Sequence, residues 1–368
     1  MNDLLSIVTN TIYEIAQKDK NAYFVCIDGF ENIVAANLQK ICPERFIKCG
    51  IGEANSLSLA SGIALSGKTV FVFIMGMYAS TRALEQLRID VGYNNANVKV
   101  IAFKPGLKFN ADAGYSHWNI EDIAIVRTVP NIKILNPATK DELSAQLEYA
   151  YKTNGAFYIR LENLHSDFNP QMDISFNKMP EICSGRDVAI IAEGSMVEYT
   201  FGLQKELKHA NIQSTILNAS ILKPFDKDTV INLIDRKIPI ITIEEQINGG
   251  IGSIVSEIIA EHGRRAKFLP IRINNENYNI VGKYDYVSNK LMDLSNTLNK
   301  IIKFADKKYS LLGLPVIKVK SKLRNNVVGK LYLQLFGLFP LLKIKYRNKI
   351  RKGKPRIKVY LFGFIRIV

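Results

Sequence analysis

Short apolar runs and amphipathic stretches take turns along most of this chain, and that alternation constrains its fold more than any other feature. Residues 23–28 (YFVCID), 46–50 (FIKCG), 69–75 (TVFVFIM), 98–103 (VKVIAF), 132–135 (IKIL) and 156–160 (AFYIR) are β-branched and aromatic, as strands buried on both faces require. Between them, 31–40, 55–65 and the stretch carrying Leu84, Leu87 and Val91 on one face read as helices, and Thr139 with Glu142 forms a capping box that opens another. Residues 166–185, rich in Pro, Asn, Asp and Ser, read as a linker. A second alternation follows, with strands at 187–192, 214–219, 239–243 and 267–272 and helices near 196–209, from Asp226, opening at 250–252 and near 288–304. The chain is therefore predicted to be α/β: two doubly wound domains with mostly parallel sheets, over 1–168 and 184–306, and a basic, apolar tail over 307–368.

Charge separates the tail from the rest. Of 49 Lys and Arg residues, 17 fall in 307–368, where there is no Asp or Glu; the first 306 residues then hold 32 basic against 34 acidic side chains. A near-neutral body thus carries a strongly cationic tail. A hydrophobic fraction of 47% excludes a disordered chain. Cys26, Cys42, Cys49 and Cys183 show no CxxC spacing, which argues against a disulfide scaffold or a zinc site and for reduced thiols in the cytoplasm. The first twenty residues read as an amphipathic helix and lack the apolar core of a signal peptide.

Three segments join strand ends to loops, where ligands bind in open parallel sheets. In Cys49–Asn55 (CGIGEAN), Glu53 sits past a strand and opens a helix. Met75–Ser80 (MGMYAS) leads into RALEQLR, and Asp112–Trp118 (DAGYSHW) holds the only Trp and one of four His. Singly, each has a plain structural explanation: a carboxylate at a helix N-terminus, strand-end packing, a surface loop with an aromatic anchor.

Taken together and in this order, CGIGEANSLSLASGIALSGKTVFVF, YASTRALEQLR and DAGYSHWNIEDIAIVRTVPNIKILNPA resemble the pyrimidine-binding domain of transketolases, above all of split transketolases and the related deoxyxylulose-phosphate synthases. GSMVEYTFGLQKEL, LKPFD and IEEQINGGIGS extend the resemblance through the C-terminal domain, to about residue 305. It implies an enzyme using thiamine diphosphate, whose ylid supplies a carbanion that no side chain can. Glu53 matches the glutamate that hydrogen-bonds the cofactor's pyrimidine ring and so draws the thiazolium proton to the ring's exocyclic nitrogen. Tyr78 matches an aromatic stacked on that ring, and Met75 stands where a second aromatic is common. By the same resemblance His117 contacts the substrate's reacting oxygens, Asp112 binds a donor hydroxyl, Arg160 binds substrate phosphate and Asp28 contacts the cofactor or an interface. Lys104 replaces a usual histidine, Trp118 replaces a common Gln, and the loop before His117 is one residue longer, all on the substrate side. A different acceptor is the expectation.

The Gly-Asp-Gly start and downstream Asn that bind the metal and diphosphate in this family do not occur here; Asp28-Gly29 is the nearest approach. No metal ligand is therefore expected in this chain. The resemblance implies an N-terminal partner subunit holding Mg2+ and the diphosphate, the cofactor shared between the two chains, and an α2β2 assembly acting on sugars. The Gly249–Ser253 turn resembles a phosphate loop only weakly. Other functions stay open: the β subunit of a 2-oxo acid dehydrogenase or a deoxyxylulose-phosphate-synthase-like enzyme, and a non-catalytic membrane-anchoring scaffold. In the tail, LYLQLFGLFPLLKIK and KVYLFGFIRIV repeat LFG 26 residues apart, and neither run is long enough to span a membrane. The tail reads as a segment drawn to an anionic membrane surface at the inner face, or as a β-hairpin extension packing on a partner; the absence of a recognisable module argues against nucleic acid. It resembles endings on some bacterial enzymes of surface-polysaccharide assembly.

Overall fold

The computed structural model describes residues 2–27, 36–164, 167–274, 276 and 278–305, together with five tail strands within 320–367. Asp28 and His165 lie outside the described residues. The chain divides into two units, Met1–Ile302 and Lys303–Val368.

The first unit holds two sheets. Strands β1 (Ala22–Cys26), β2 (Phe46–Lys48), β3 (Thr69–Met75), β4 (Val98–Phe103), β5 (Ile132–Leu135) and β6 (Ala156–Leu161) lie parallel, in the spatial order β5-β6-β4-β3-β1-β2. Val70 to Ile74 of β3 are all sealed from solvent, because helices cover both faces of this central strand. Burial of each such side chain is worth roughly 1.5–3 kcal/mol, which is why the run is almost purely apolar. From β1 the chain steps outward to β2, then returns past β1 to β3 and continues the other way. The order reverses between β1 and β3, and the crevice beyond the C-terminal ends of these strands is where such a sheet can take a ligand.

The second sheet contains β7 (Glu181–Cys183), β8 (Val188–Ala192), β9 (Ser214–Asn218), β11 (Ile240–Ile243) and β12 (Phe268–Ile271), in the order β12-β11-β8-β9-β7. All pairings are parallel except β7 with β9. Two short strands depart from the sequence reading. The stretch expected to be a linker contributes β7 as an antiparallel edge. β10 (Ile221–Lys223), within the LKPFD region, leaves the second sheet and pairs antiparallel with β5, closing one edge of the first. The helix expected near 196–209 is broken at Leu203, and the last one is split into Tyr284–Met292 and Thr297–Ala305 by Asp293, whose φ is +56°. The capping box forms: Glu142 N donates to Thr139 Oγ1 at 3.2 Å, and the Glu142 carboxylate accepts from Ala138 N at 2.8 Å.

The tail, whose secondary structure the sequence leaves open, is an antiparallel meander. β13 (Lys320–Lys322), β14 (Val328–Leu335), β15 (Phe339–Arg347), β16 (Arg356–Leu361) and β17 (Ile365–Ile367) pair in chain order. Leu335 closes β14 and Leu361 closes β16, so the leucine that opens each LFG ends a strand. No helix among the described residues is long and apolar enough to cross a membrane.

Candidate active site

Glu53 is the first residue of the helix Glu53–Leu65, which leads from β2 back to β3. The turn before it needs Gly52, since a Cβ there would lie 2.9 Å from the Cys49 carbonyl oxygen. The carboxylate sits in the first helical turn, where the dipole favours negative charge. It is only 4% exposed, yet Arg82, whose side chain is 51% exposed, donates to Glu53 Oε1 from Nη1 at 3.0 Å. The guanidinium carbon of Arg82 lies 4.1 Å from the centre of the Tyr78 ring. The Tyr78 ring in turn meets His117 edge-on at 6.5 Å. Glu53, Arg82, Tyr78 and His117 thus form one continuous line from a nearly sealed carboxylate to the surface. Arg82 carries no role in the sequence reading; its position four residues after Tyr78 is the signal that could have found it.

Tyr78 and Met75 are half-buried where β3 runs into the short helix Gly76–Ser80. Only glycine fits at 76: a Cβ would meet Asn119 Nδ2 at 2.4 Å. His117, half-buried, ends the turn Tyr115–His117, and its Nδ1 is 3.0 Å from Ser116 Oγ. Asp112 is exposed on the preceding turn. Lys104, half-buried, follows β4 with φ +56°, a left-handed conformation that is costly for a non-glycine residue and typical of strand-end functional sites.

The loop carrying His117 is held from the second half of the chain. Glu245 Oε2 accepts from Leu107 N at 2.9 Å, Tyr284 hydroxyl donates to the same carboxylate, and Gly282 N reaches Ala111 O at 3.3 Å. Tyr278 stacks on Tyr115 at 4.9 Å and meets fully buried Trp118 edge-on. This aromatic clamp fixes the loop and accounts for the complete burial of Trp118.

Arg160 occupies a different environment from the one expected. It is completely buried in β6, where Nε donates to Asp122 Oδ2 at 2.9 Å and Nη1 to Glu162 Oε1 and Glu193 Oε2, both at 2.7 Å. Burial works against the charge, but Asp122, Glu193 and Glu162 outweigh it and hold the guanidinium above its ordinary range. Nη2 has no hydrogen-bond partner among the described residues, but the whole side chain is sealed from solvent, so a substrate phosphate would have to open this nest of carboxylates to reach it, and the phosphate contact expected at Arg160 does not suit this placement. What Arg160 does is position. Asp122 Oδ2 also lies 3.1 Å from Tyr158 Oη, which is 3.2 Å from the Gly76 carbonyl at the foot of the Tyr78 helix. Glu162 Oε2 accepts from Ser195 N at 2.7 Å, tying β6 to the first helix of the second sheet.

The Gly249–Ser253 turn is already occupied. Glu244 accepts from Ile251 N at 2.6 Å and Gly252 N at 2.9 Å, so the helix N-terminus that resembled a phosphate loop is filled by the protein's own carboxylate. Among the described residues no group of three His, Cys, Asp or Glu is placed to hold a metal. The residues present suit the pyrimidine half of thiamine diphosphate: a shielded carboxylate for a ring nitrogen, a half-buried aromatic ring with Arg82 over one face, and a half-buried thioether at the end of β3.

Both halves of the chain are similar to known proteins. Residues 6–165 match the family described as Transketolase, pyrimidine binding domain, and 177–279 the one described as Transketolase, C-terminal domain. The chain is 30% identical over 269 residues to one subunit of the apulose-4-phosphate transketolase of Phocaeicola vulgatus, covering 72% of this chain and 84% of that one. It is 32% identical over 274 residues to a putative transketolase C-terminal section of Methanocaldococcus jannaschii, with the same coverage of 72% and 84%. A solved structure described as "Split gene transketolase, inactive beta4 tetramer" superposes with a TM-score of 0.70 at 25% identity, over 82% of this chain and 99% of that one.

Proposed function

Because the chain belongs to the transketolase family, we propose that it is the C-terminal-section subunit of a split transketolase, with the pyrimidine-binding domain over 1–168 and the C-terminal domain over 184–306. It transfers a two-carbon ketol unit between sugars when joined to an N-terminal-section partner in an α2β2 assembly. The partner supplies Mg2+ and the diphosphate contacts. Thiamine diphosphate, when bound, supplies the carbanion chemistry. Glu53 exchanges a proton with the pyrimidine ring nitrogen, its charge shielded from water by near-complete burial. Tyr78 and Met75 orient the ring. His117 and Asp112 hold substrate oxygens on a loop kept rigid by Glu245 and Tyr278. Lys104, strained at the rim, pairs with an anionic group of the sugar. Relatives named for apulose-4-phosphate and for 6-deoxy-6-sulfo-D-fructose, sugars that each carry an anion, support a substrate of that class. The cationic tail places the enzyme on the inner membrane face, making a sugar for surface-polysaccharide assembly.

The observation that carries this reading is the nearly sealed Glu53 in line with Tyr78 and His117. The test is Glu53→Gln, co-expressed with the N-terminal-section partner and offered a ketose phosphate or pyruvate as donor. Cofactor-dependent ketol transfer from the ketose should fall by at least ~100-fold, the usual minimum contribution of acid–base catalysis, with the thermal transition unchanged. Turnover within a few-fold of wild type, or a preference for pyruvate, would reject it.

A further inference from the structure

Three of the proposed site residues stand on separate segments: Tyr78 on the helix Gly76–Ser80, Lys104 just past β4, and His117 at the end of the turn Tyr115–His117. Asn119, completely sealed from solvent, touches all three segments. Its main chain bridges to Gly106, two residues after Lys104: Gly106 N donates to Asn119 O at 2.9 Å, and Asn119 N to Gly106 O at 3.3 Å. Its side chain engages the Tyr78 helix at both ends. Ser80 Oγ donates to Asn119 Oδ1 at 3.5 Å, and Nδ2 fills the space beside Gly76, where a Cβ would lie 2.4 Å from it. The same nitrogen donates to Asp122 Oδ2 at 3.1 Å, and Gln246, from the second half of the chain, donates to Asn119 O at 3.4 Å. His117 is two residues away along the chain.

Removing this amide would strand no buried partner. Asp122 would keep Arg160 Nε at 2.9 Å, Gln246 Nε2 at 2.9 Å and Tyr158 Oη at 3.1 Å, and Ser80 Oγ would keep the carbonyls of Gly76 at 3.1 Å and Met77 at 3.2 Å. Polar groups left unpaired in the interior carry most of the cost of deleting a hydrogen-bond partner, so the fold would lose little. What would be lost is the tie between the Tyr78 helix and the His117 segment, whose rings meet edge-on at 6.5 Å. We propose that Asn119 is a positioning residue, which fixes the spacing of Tyr78 and His117 across the site. A misplacement of about 1 Å can cost ~100-fold in rate, so a buried amide with no part in the chemistry can still govern it. The inference rests on the ketol-transfer reading for what Tyr78 and His117 do, and adds to it the residue that holds them in register.

The test uses the full chain with isotope-labelled histidine, read by nuclear magnetic resonance. The His117 ring signal is assigned by its loss in His117→Asn, and Tyr78→Leu shows where that signal lies without the Tyr78 ring current. Asn119→Ala should carry the His117 signal a large part of the way to its Tyr78→Leu position, with those of His209 and His262 unmoved. Asn119→Ser, which keeps a short polar group, should fall in between. Thr139→Ala removes a helix cap outside the three segments and controls for general loosening: it should lower the thermal midpoint and leave the His117 signal in place. In the assembly with the N-terminal-section partner, Asn119→Ala should lower kcat and kcat/KM together by about 10–100-fold, with KM and the Kd for thiamine diphosphate within about three-fold of wild type. A His117 signal that Tyr78→Leu does not move would overturn the contact itself. An unmoved signal in both Asn119 variants, an equal movement in Thr139→Ala, or an unchanged kcat where the wild-type assembly is active would overturn the role of Asn119. A wild-type assembly without ketol transfer would overturn the functional reading instead, while the histidine signal still decides the spacing.

Discussion

Replacing Arg160 with Met is the most severe test of the interior. The guanidinium is the cation shared by Asp122, Glu162 and Glu193 at 2.7–2.9 Å, and all four side chains are at most 3% exposed. Methionine fills a similar volume but leaves the carboxylates facing one another. Removing one partner of a buried ion pair typically costs 3–5 kcal/mol, and here one cation serves three anions, so ~4 kcal/mol is a conservative figure. For a unit of this size each kcal/mol moves the midpoint by roughly 2–4 °C, which predicts a fall of about 8–16 °C by scanning calorimetry. The loss should depend on pH in a definite direction. Burial pushes the Glu193 carboxyl well up, and Arg160 is the main group opposing that. Without the guanidinium Glu193 keeps its proton to still higher pH when folded. A raised folded value means stability that is present at low pH and lost as pH rises. The deficit relative to wild type should therefore be larger near about pH 8 than near about pH 5.5. A midpoint within about 2 °C of wild type, or a deficit that shrinks as pH rises, would refute the account of Arg160 as the brace of the interior.

Other consequences can be measured separately. Arg82→Met removes an ion pair to Glu53 and uncovers the Tyr78 ring; if that ring face receives the cofactor, thiamine diphosphate should bind the assembled enzyme about 5–30-fold more tightly by calorimetric titration, and weaker binding would contradict the competition. Glu244 is pushed up to about 7 by burial, above its ordinary 4.5, so its contribution to stability is complete below that ordinary value and lost as pH rises through 7. The midpoint of the wild type should decline across neutrality and that of Glu244→Gln should decline less; parallel pH profiles would exclude Glu244 as the source.

The sequence exposes the parts of this fold that local physics determines. A central strand such as 69–75 must be apolar throughout because both its faces are covered, and its limits can be read to the residue. β7 and β10 carry no such signal: each is three residues long, lies at an edge and is a strand only because a distant neighbour pairs with it. The site divides the same way. Glu53, Tyr78 and His117 are legible from motifs at strand ends. The Arg82–Glu53 pair spans 29 positions and the Arg160–Asp122 pair 38, so neither contact exists until the sheet brings them together. A motif can show that an arginine ends a strand, but whether it meets solvent or a nest of acids is decided by the second sheet.

The placement of β10 limits how this protein can be dissected. Residues 221–223 are encoded beyond the second sheet's first strands but finish the border of the first. Cutting the gene in the Pro- and Asn-rich stretch after 166 would release a front half whose outermost strand, Ile132–Leu135, has lost its hydrogen-bonded neighbour and is free to recruit another copy. Such a fragment should precipitate or self-associate, and the protein is better studied by substitution than by excision.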